Sequence, residues 1–129
     1  MKNYLMIFIF SLFCFSCTKK DNCNNSVSLT GKYENIYDKE AKNILIINKN
    51  GTYKQVFTKN GIRKINKGRY KFFPKFCSIV FINLKVLQDL PKLKDEYHIE
   101  DNYPAKFRNN NIVFIEDLPF EFDYYRIDE

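Results

Sequence analysis

Hydrophobic and polar residues alternate along several short stretches of the chain, and turn residues separate these stretches. Between Thr52 and Thr58, every second residue would lie on the same face of a strand. One face would hold Tyr53, Gln55 and Phe57, and the other would hold Lys54, Val56 and Thr58. Asn-Gly pairs at 50–51 and 60–61 predict tight hairpins on either side, because both residue types tolerate positive φ angles.

The same alternation predicts an all-β fold with about eight or nine strands. The expected strands are Leu29–Tyr37, Ile44–Asn48, Thr52–Thr58, Ile62–Phe73, Cys77–Leu87, Tyr97–Ile99, Ala105–Phe107, Ile112–Ile115 and Phe120–Ile127. Gly68 would mark a bulge or bend in the fourth strand, Pro74 would end that strand, and residues 89–91 could form one helical turn. Strands of this length and spacing favour a small antiparallel β-barrel or a sandwich, and we expect the barrel.

The N-terminus has the features of an export signal. An apolar run from Tyr4 to Phe15 follows Lys2 and is too short to cross a bilayer, which takes about 20 apolar residues. The segment Cys14-Phe15-Ser16-Cys17 resembles the recognition box of bacterial lipoprotein signals. That resemblance implies cleavage after residue 16 and a lipid anchor on Cys17. The alternative is a signal that is cleaved without lipidation.

These features divide the chain into three parts. Residues 1–16 form the predicted signal peptide, residues 17–28 form the lipidated cysteine and a polar tether, and residues 29–129 form the barrel domain. Removing the 16 signal residues from the 129 leaves 113, which is enough for one domain.

The formal net charge of +6 is unevenly distributed. Eleven bases and one acid lie from Lys39 to Lys75, whereas eleven acids and five bases lie from Asp89 to Glu129. The basic middle could form a face that binds an acidic partner or anionic lipid, or strands from the two halves could neutralise each other. The residues of this candidate basic face are Lys54, Lys64, Lys67, Arg69 and Lys71. Nucleic acid is not an expected partner, because the chain carries an export signal.

Two cysteines remain once the signal and the lipidated residue are set aside, and these are Cys23 and Cys77. Exported proteins retain disulfides, and a bridge across this 54-residue separation would stabilise the fold by about 4 kcal/mol in the chain-entropy model. Alternatively, Cys77 is a small buried strand residue and Cys23 is a free thiol in the tether.

Three short segments suggest a family. They are Gly31-Lys32-Tyr33, Asn50-Gly51-Thr52-Tyr53 and Gly68-Arg69-Tyr70. Together they resemble the small lipocalin-like lipoproteins of Bacteroidota, over residues 29–127. The resemblance implies that Tyr33 replaces the tryptophan that closes one barrel end, that Arg126 packs over it, and that the protein is anchored to the outer membrane.

Aromatic residues at alternating positions are the candidate ligand-binding residues, and these are Tyr33, Tyr53, Phe57, Tyr70 and Phe72. They would line the interior of a roomy barrel or form the core of a tight one. No nucleophile elbow or phosphate-binding loop is found. We expect no catalytic residues, no metal site at His98 and no cofactor.

Two functions are therefore favoured at this stage, and a third, an enzyme, would rest only on the acidic residues of the C-terminal part. The first is a non-enzymatic, membrane-anchored lipoprotein that binds a small apolar or amphipathic ligand or serves the cell envelope. The second is an envelope-anchored inhibitor or immunity protein whose basic face binds an acidic protein.

Overall fold

A computed structural model describes residues 28–85, 102–114 and 122–128. Eight strands lie in these ranges: β1 (Gly31–Asn35), β2 (Lys42–Ile47), β3 (Thr52–Lys59), β4 (Ile62–Phe73), β5 (Ser78–Ile82), β6 (Asn102–Arg108), β7 (Asn111–Val113) and β8 (Tyr125–Arg126). A short 3-10 turn, Pro74–Phe76, joins β4 to β5. Within the described ranges, no helix is long and apolar enough to cross a membrane.

The strands form one antiparallel sheet in which each strand from β1 to β7 pairs with the next. The sheet curls until β8 pairs with β1, with Arg126 opposite Tyr33. An isolated bridge between Ile112 and Tyr124, with two backbone hydrogen bonds of 2.9 Å, joins β7 to the segment that leads into β8. The predicted all-β antiparallel barrel is therefore confirmed.

Asparagine and glycine form the tight turns, as predicted for the pair at 60–61. Asn60 and Gly61 have φ angles of 51° and 73°, and Asn109 and Asn110 have φ angles of 50° and 65°. Two successive positive φ angles define the turn whose twist suits a two-residue hairpin. These turns fix the register of β3 with β4 and of β6 with β7.

Up-and-down strand order gives the barrel two distinct ends. We call the end where β1 begins the lower end; it also carries the β2–β3, β4–β5 and β6–β7 turns. The upper end is where β1 and β3 finish. Apolar side chains fill the lower half of the interior, and the main ones are Tyr33, Leu45, Ile47, Tyr53, Ile79, Phe81, Phe107 and Ile112.

The prediction of a bulge at Gly68 is wrong, because the β3–β4 ladder continues through Gly68 without an extra residue, whereas the alternative of a bend stays a prediction. Gly68 instead lies opposite Tyr53, and the tyrosine ring covers it. A Cβ atom at this position would lie 2.5 Å from the Tyr53 hydroxyl oxygen and 2.5 Å from the Ile82 carbonyl oxygen. The glycine is needed for a close approach of an aromatic ring to the backbone.

Strand lengths differ from the predictions at several ends. β1 stops at Asn35, where the side chain accepts a hydrogen bond from the backbone of Tyr37. β5 stops at Ile82, because Asn83 has a φ angle of 59°. The helical turn at 89–91, the strand at 97–99, the signal peptide, Cys17 and Cys23 lie outside the described residues.

Candidate functional site

Arg126 closes the lower end of the barrel. Its guanidinium carbon lies 5.6 Å from the centre of the Tyr33 ring, so the predicted packing of these two residues is confirmed. The same group donates hydrogen bonds to the carbonyl oxygens of Ser28 at 2.6 Å and Thr30 at 2.8 Å. A side chain at Gly31 would meet the guanidinium at 2.7 Å, so this glycine makes room for the arginine.

Tyr33 is fully buried beneath that arginine, and its hydroxyl donates to the Leu29 carbonyl at 2.6 Å. Burial raises the pKa of Tyr33 to about 12, although the positive charge of Arg126 acts in the opposite direction. Tyr33 therefore has a structural role, because its buried ring fills the lower end of the barrel beneath Arg126.

Three more of the candidate ligand-binding residues pack within the lower half. Tyr53 meets Phe81 edge-on at 5.3 Å between ring centres, and Phe72 meets Phe107 in the same way at 6.4 Å. The hydroxyls of Tyr53 and Tyr70 donate to backbone carbonyl oxygens, each at 2.8 Å. Both hydroxyls are therefore paired within the protein, and the Tyr53 ring belongs to the core while Tyr70 and Phe72 are partly buried and pack against it.

Four amide side chains lie above this aromatic half. We call them the amide cluster; its members are Asn35, Asn43, Gln55 and Asn66, on four consecutive strands. All four are buried, with exposed fractions between 1% and 9%. Buried amides must be hydrogen-bonded to offset the loss of water, so their partners define what this end of the barrel can bind.

Most members of the amide cluster are paired. Asn66 donates to the side-chain oxygen of Gln55 at 2.8 Å and to the Asn83 carbonyl at 2.9 Å. Gln55 donates to the Lys85 carbonyl at 3.1 Å. Asn35 donates to the Asp123 carbonyl at 2.9 Å.

Asn43 is the exception. Its side-chain oxygen accepts a 2.9 Å hydrogen bond from the Tyr124 hydroxyl, but its side-chain nitrogen is buried and has no hydrogen-bond partner among the described residues. An unpaired buried donor costs about 1–3 kcal/mol. This nitrogen is therefore a buried donor whose acceptor is not found in the described part of the chain.

Two titratable groups adjoin the amide cluster. Burial raises the pKa of Tyr124 to about 12, so the hydroxyl stays protonated and can donate to Asn43. Burial also raises the pKa of Asp123, while the backbone N–H of Phe114 acts against that rise. That N–H donates to the carboxylate at 3.1 Å.

Phe57 is the predicted ligand-binding residue that lies beside the amide cluster. It pairs directly with Asn43 across β2 and β3, so their side chains share the inner face. Lys64 pairs with Phe57 from β4, and its ammonium lies 5.8 Å from the centre of the Phe57 ring. The lysine is exposed and brings a positive charge to the rim of the upper end.

The candidate basic face is divided by the register. Lys54 and Lys67 are directly opposite each other on the outside of β3 and β4, and Arg69 and Lys71 follow on the same side of β4. Lys64 instead lies on the inner side, above Phe57. The ion pairs among the described residues are Lys59–Asp38 and Arg126–Asp128. None of the four outer basic residues therefore pairs with a carboxylate in these ranges.

Cys77 directly follows the 3-10 turn, is buried and forms a disulfide bond. Its pairing with Cys23 stays a prediction, because Cys23 lies outside the described residues. The described ranges contain no cluster of three or more potential metal ligands, and His98 also lies outside them.

Sequence reasoning did not single out the amide cluster or Tyr124. One signal was present, because Gln55 falls between Tyr53 and Phe57 on the face that alternation assigns to the interior. A polar residue at such a position indicates a buried hydrogen-bond network. Comparison of the chain with protein-family models, with curated proteins and with solved structures finds no match.

Proposed function

We propose that this chain is a non-enzymatic lipoprotein, anchored through Cys17 to the outer membrane, whose barrel binds a small amphipathic molecule at its upper end. The observation that carries the binding role is the buried side-chain nitrogen of Asn43, which has no hydrogen-bond partner within the ranges that the structure describes. A ligand with a carbonyl or hydroxyl oxygen would satisfy that donor, while Phe57 would contact its apolar part.

The chemistry of the upper end supports a polar head group rather than a purely apolar ligand. Amides and a tyrosine hydroxyl supply neutral donors and acceptors, and Lys64 adds one positive charge near Phe57. Binding sites for small molecules combine apolar walls with a few fixed polar groups in this way. An acceptor-rich or acidic head group fits best.

Native mass spectrometry tests this proposal on the protein exported without its lipid and purified without detergent. We expect a bound small-molecule mass that is lost in Phe57→Ala and retained in Phe72→Ala. The second variant is a matched control, because it also shortens an aromatic residue but does so in the lower half. A bare monomer in the wild type, with an intact fold, would contradict the binding role.

The outer basic face supports a second candidate function, as an inhibitor or immunity protein that binds an acidic protein. Lys54 and Lys67 are like charges directly opposite each other, an arrangement that destabilises a sheet. An acidic partner would remove that repulsion. Such binding should weaken steeply with salt and with Lys67→Glu, but not with Lys64→Glu, which changes the inner side.

A further inference from the structure

An exposed aromatic corner lies at the lower end of the barrel, where β4 passes into the 3-10 turn. We use this name for Phe73 and Phe76 together with Lys71, Lys75 and Lys106. Phe73 is 44% exposed and Phe76 is 63% exposed. Ile62 and Ile65 are also exposed at the upper end, by 62% and 50%, so the corner is set apart by its aromatic rings and by its place beside the N-terminal segment.

The corner is basic and is held by backbone hydrogen bonds. Cys77 ends the turn with a φ angle of 48°, and its N–H donates to the Pro74 carbonyl. Lys75 lies 5.8 Å from the centre of the Phe76 ring, and Lys106 donates to the Phe76 carbonyl at 3.2 Å. The chain has no acidic residue between positions 41 and 88. Basic residues around exposed aromatic rings match the interface of an anionic bilayer.

The N-terminal segment leads to the same end of the barrel. Arg126 holds Ser28, the first described residue, at the lower end. Cys77, which forms a disulfide, directly follows the corner, and the other cysteines of the chain are Cys14, Cys17 and Cys23. If Cys17 carries the lipid, Cys23 is the remaining partner for Cys77 in the processed protein.

That linkage sets the distance between the anchor and the corner. Cys23 is six residues from Cys17, and six extended residues span at most about 20 Å. A lipid on Cys17 would therefore hold the corner within roughly that distance of the bilayer surface.

We propose that the aromatic corner is a second membrane contact, which rests on the lipid anchor of the proposed function. Phe73 and Phe76 enter the boundary between head groups and acyl chains, and Lys71, Lys75 and Lys106 meet the anionic head groups. The lower end of the barrel then lies on the membrane and the upper end, with the amide cluster, faces away from it.

Single-tryptophan variants test this orientation, because the chain contains no tryptophan. Phe76→Trp places the probe in the corner. Ile62→Trp is the matched control, because Ile62 is 62% exposed at the opposite end of β4. Each lipidated protein is incorporated into vesicles of phosphatidylglycerol and phosphatidylcholine with brominated acyl chains.

We expect the Phe76→Trp emission to shift to the blue and to be quenched at least about twofold more than that of Ile62→Trp, since interfacial side chains reach about 5–10 Å into the boundary. Lys75→Glu in the Phe76→Trp protein should reduce the quenching, and Arg63→Glu should not. Equal quenching at both positions, or none in protein that floats with the vesicles, would overturn the proposal and leave the corner to a protein partner.

Flotation of the protein with vesicles distinguishes failure of the corner as a membrane contact from failure of the lipid anchor. If the processed protein carries no lipid and does not float with neutral vesicles, the anchor is refuted. The same tryptophan variants are then mixed with phosphatidylglycerol vesicles at low salt. Quenching confined to Phe76→Trp would still support the corner as a membrane contact, and absence of quenching would reject it.

Discussion

Replacing Gly68 by alanine should destabilise the barrel strongly, because two rigid neighbours surround the site. The new Cβ would meet the Ile82 carbonyl and the Tyr53 hydroxyl, both at 2.5 Å. To relieve the overlap, Tyr53 must move away from the carbonyl to which it donates at 2.8 Å and from Phe81, whose ring it meets at 5.3 Å.

The magnitude follows from these contacts. Overpacking a core costs about 1–3 kcal/mol, and losing the tyrosine hydrogen bond costs about 1 kcal/mol more. Alanine recovers about 0.5–1 kcal/mol relative to glycine in a regular strand. The net expectation is a loss of roughly 1–3.5 kcal/mol in the free energy of unfolding.

Urea unfolding followed by circular dichroism measures this loss, and a double-mutant cycle with Tyr53→Ala assigns its cause. With the ring removed, Gly68→Ala should cost about 1 kcal/mol less than in the wild type. Gly61→Ala is the control, because nothing lies within 4 Å of its Cβ and its φ of 73° alone predicts a cost of about 1–2 kcal/mol. A stability for Gly68→Ala within about 0.5 kcal/mol of the wild type would refute the close-approach argument.

Four further outcomes are expected. Arg126→Met should lower the free energy of unfolding by about 2–3 kcal/mol, and Arg126→Lys should recover little of it because an ammonium cannot reach both carbonyls. A smaller loss of stability, measured by urea unfolding, would argue against closure of the barrel by this residue. Reduction should cost about 4 kcal/mol if Cys77 pairs with Cys23, which peptide mapping would identify. Tyr33, Tyr53 and Tyr124 have pKa values raised to about 12, so stability present below pH about 10 should be lost as pH rises toward 12, and absorbance titration should show a late class of tyrosines. The pKa of Asp123 is also raised, so its carboxylate disfavours folding above that pKa; Asp123→Asn should raise the urea midpoint at pH 7 and flatten its dependence on acid pH.

The sequence predicts the central strands well because their signals are local. Ile62–Phe73 has the same bounds in the prediction and in the structure, since an Asn-Gly turn precedes it and a proline follows it. The alternation of Tyr53 and Phe57 assigns their shared inner face correctly. Turn chemistry and period-2 alternation act within a few residues and can be read from one chain.

The remaining features depend on contacts between distant residues. β8 pairs over two residues, and its place beside β1 depends on the contact of Arg126 with Tyr33. The amide cluster brings together residues from four strands, and Tyr124 reaches Asn43 across 81 positions of sequence. Alternation identifies an inner face but not the partners across it. The pairing of β3 with β4 was therefore needed to show that Lys64 lies on the inner side, apart from the other basic residues.

Closure of the barrel by β8 has a consequence for how the chain matures. Seven of the strands can assemble as successive hairpins once the exported chain begins to fold, because each pairs with its neighbour in sequence. The edge of β1 that β8 will occupy stays unsatisfied until residues 122–128 arrive, and exposed edges pair with other chains. A protein truncated before Tyr124 would keep its hairpins but present an open sheet, so the last few residues decide between a monomer and an aggregate.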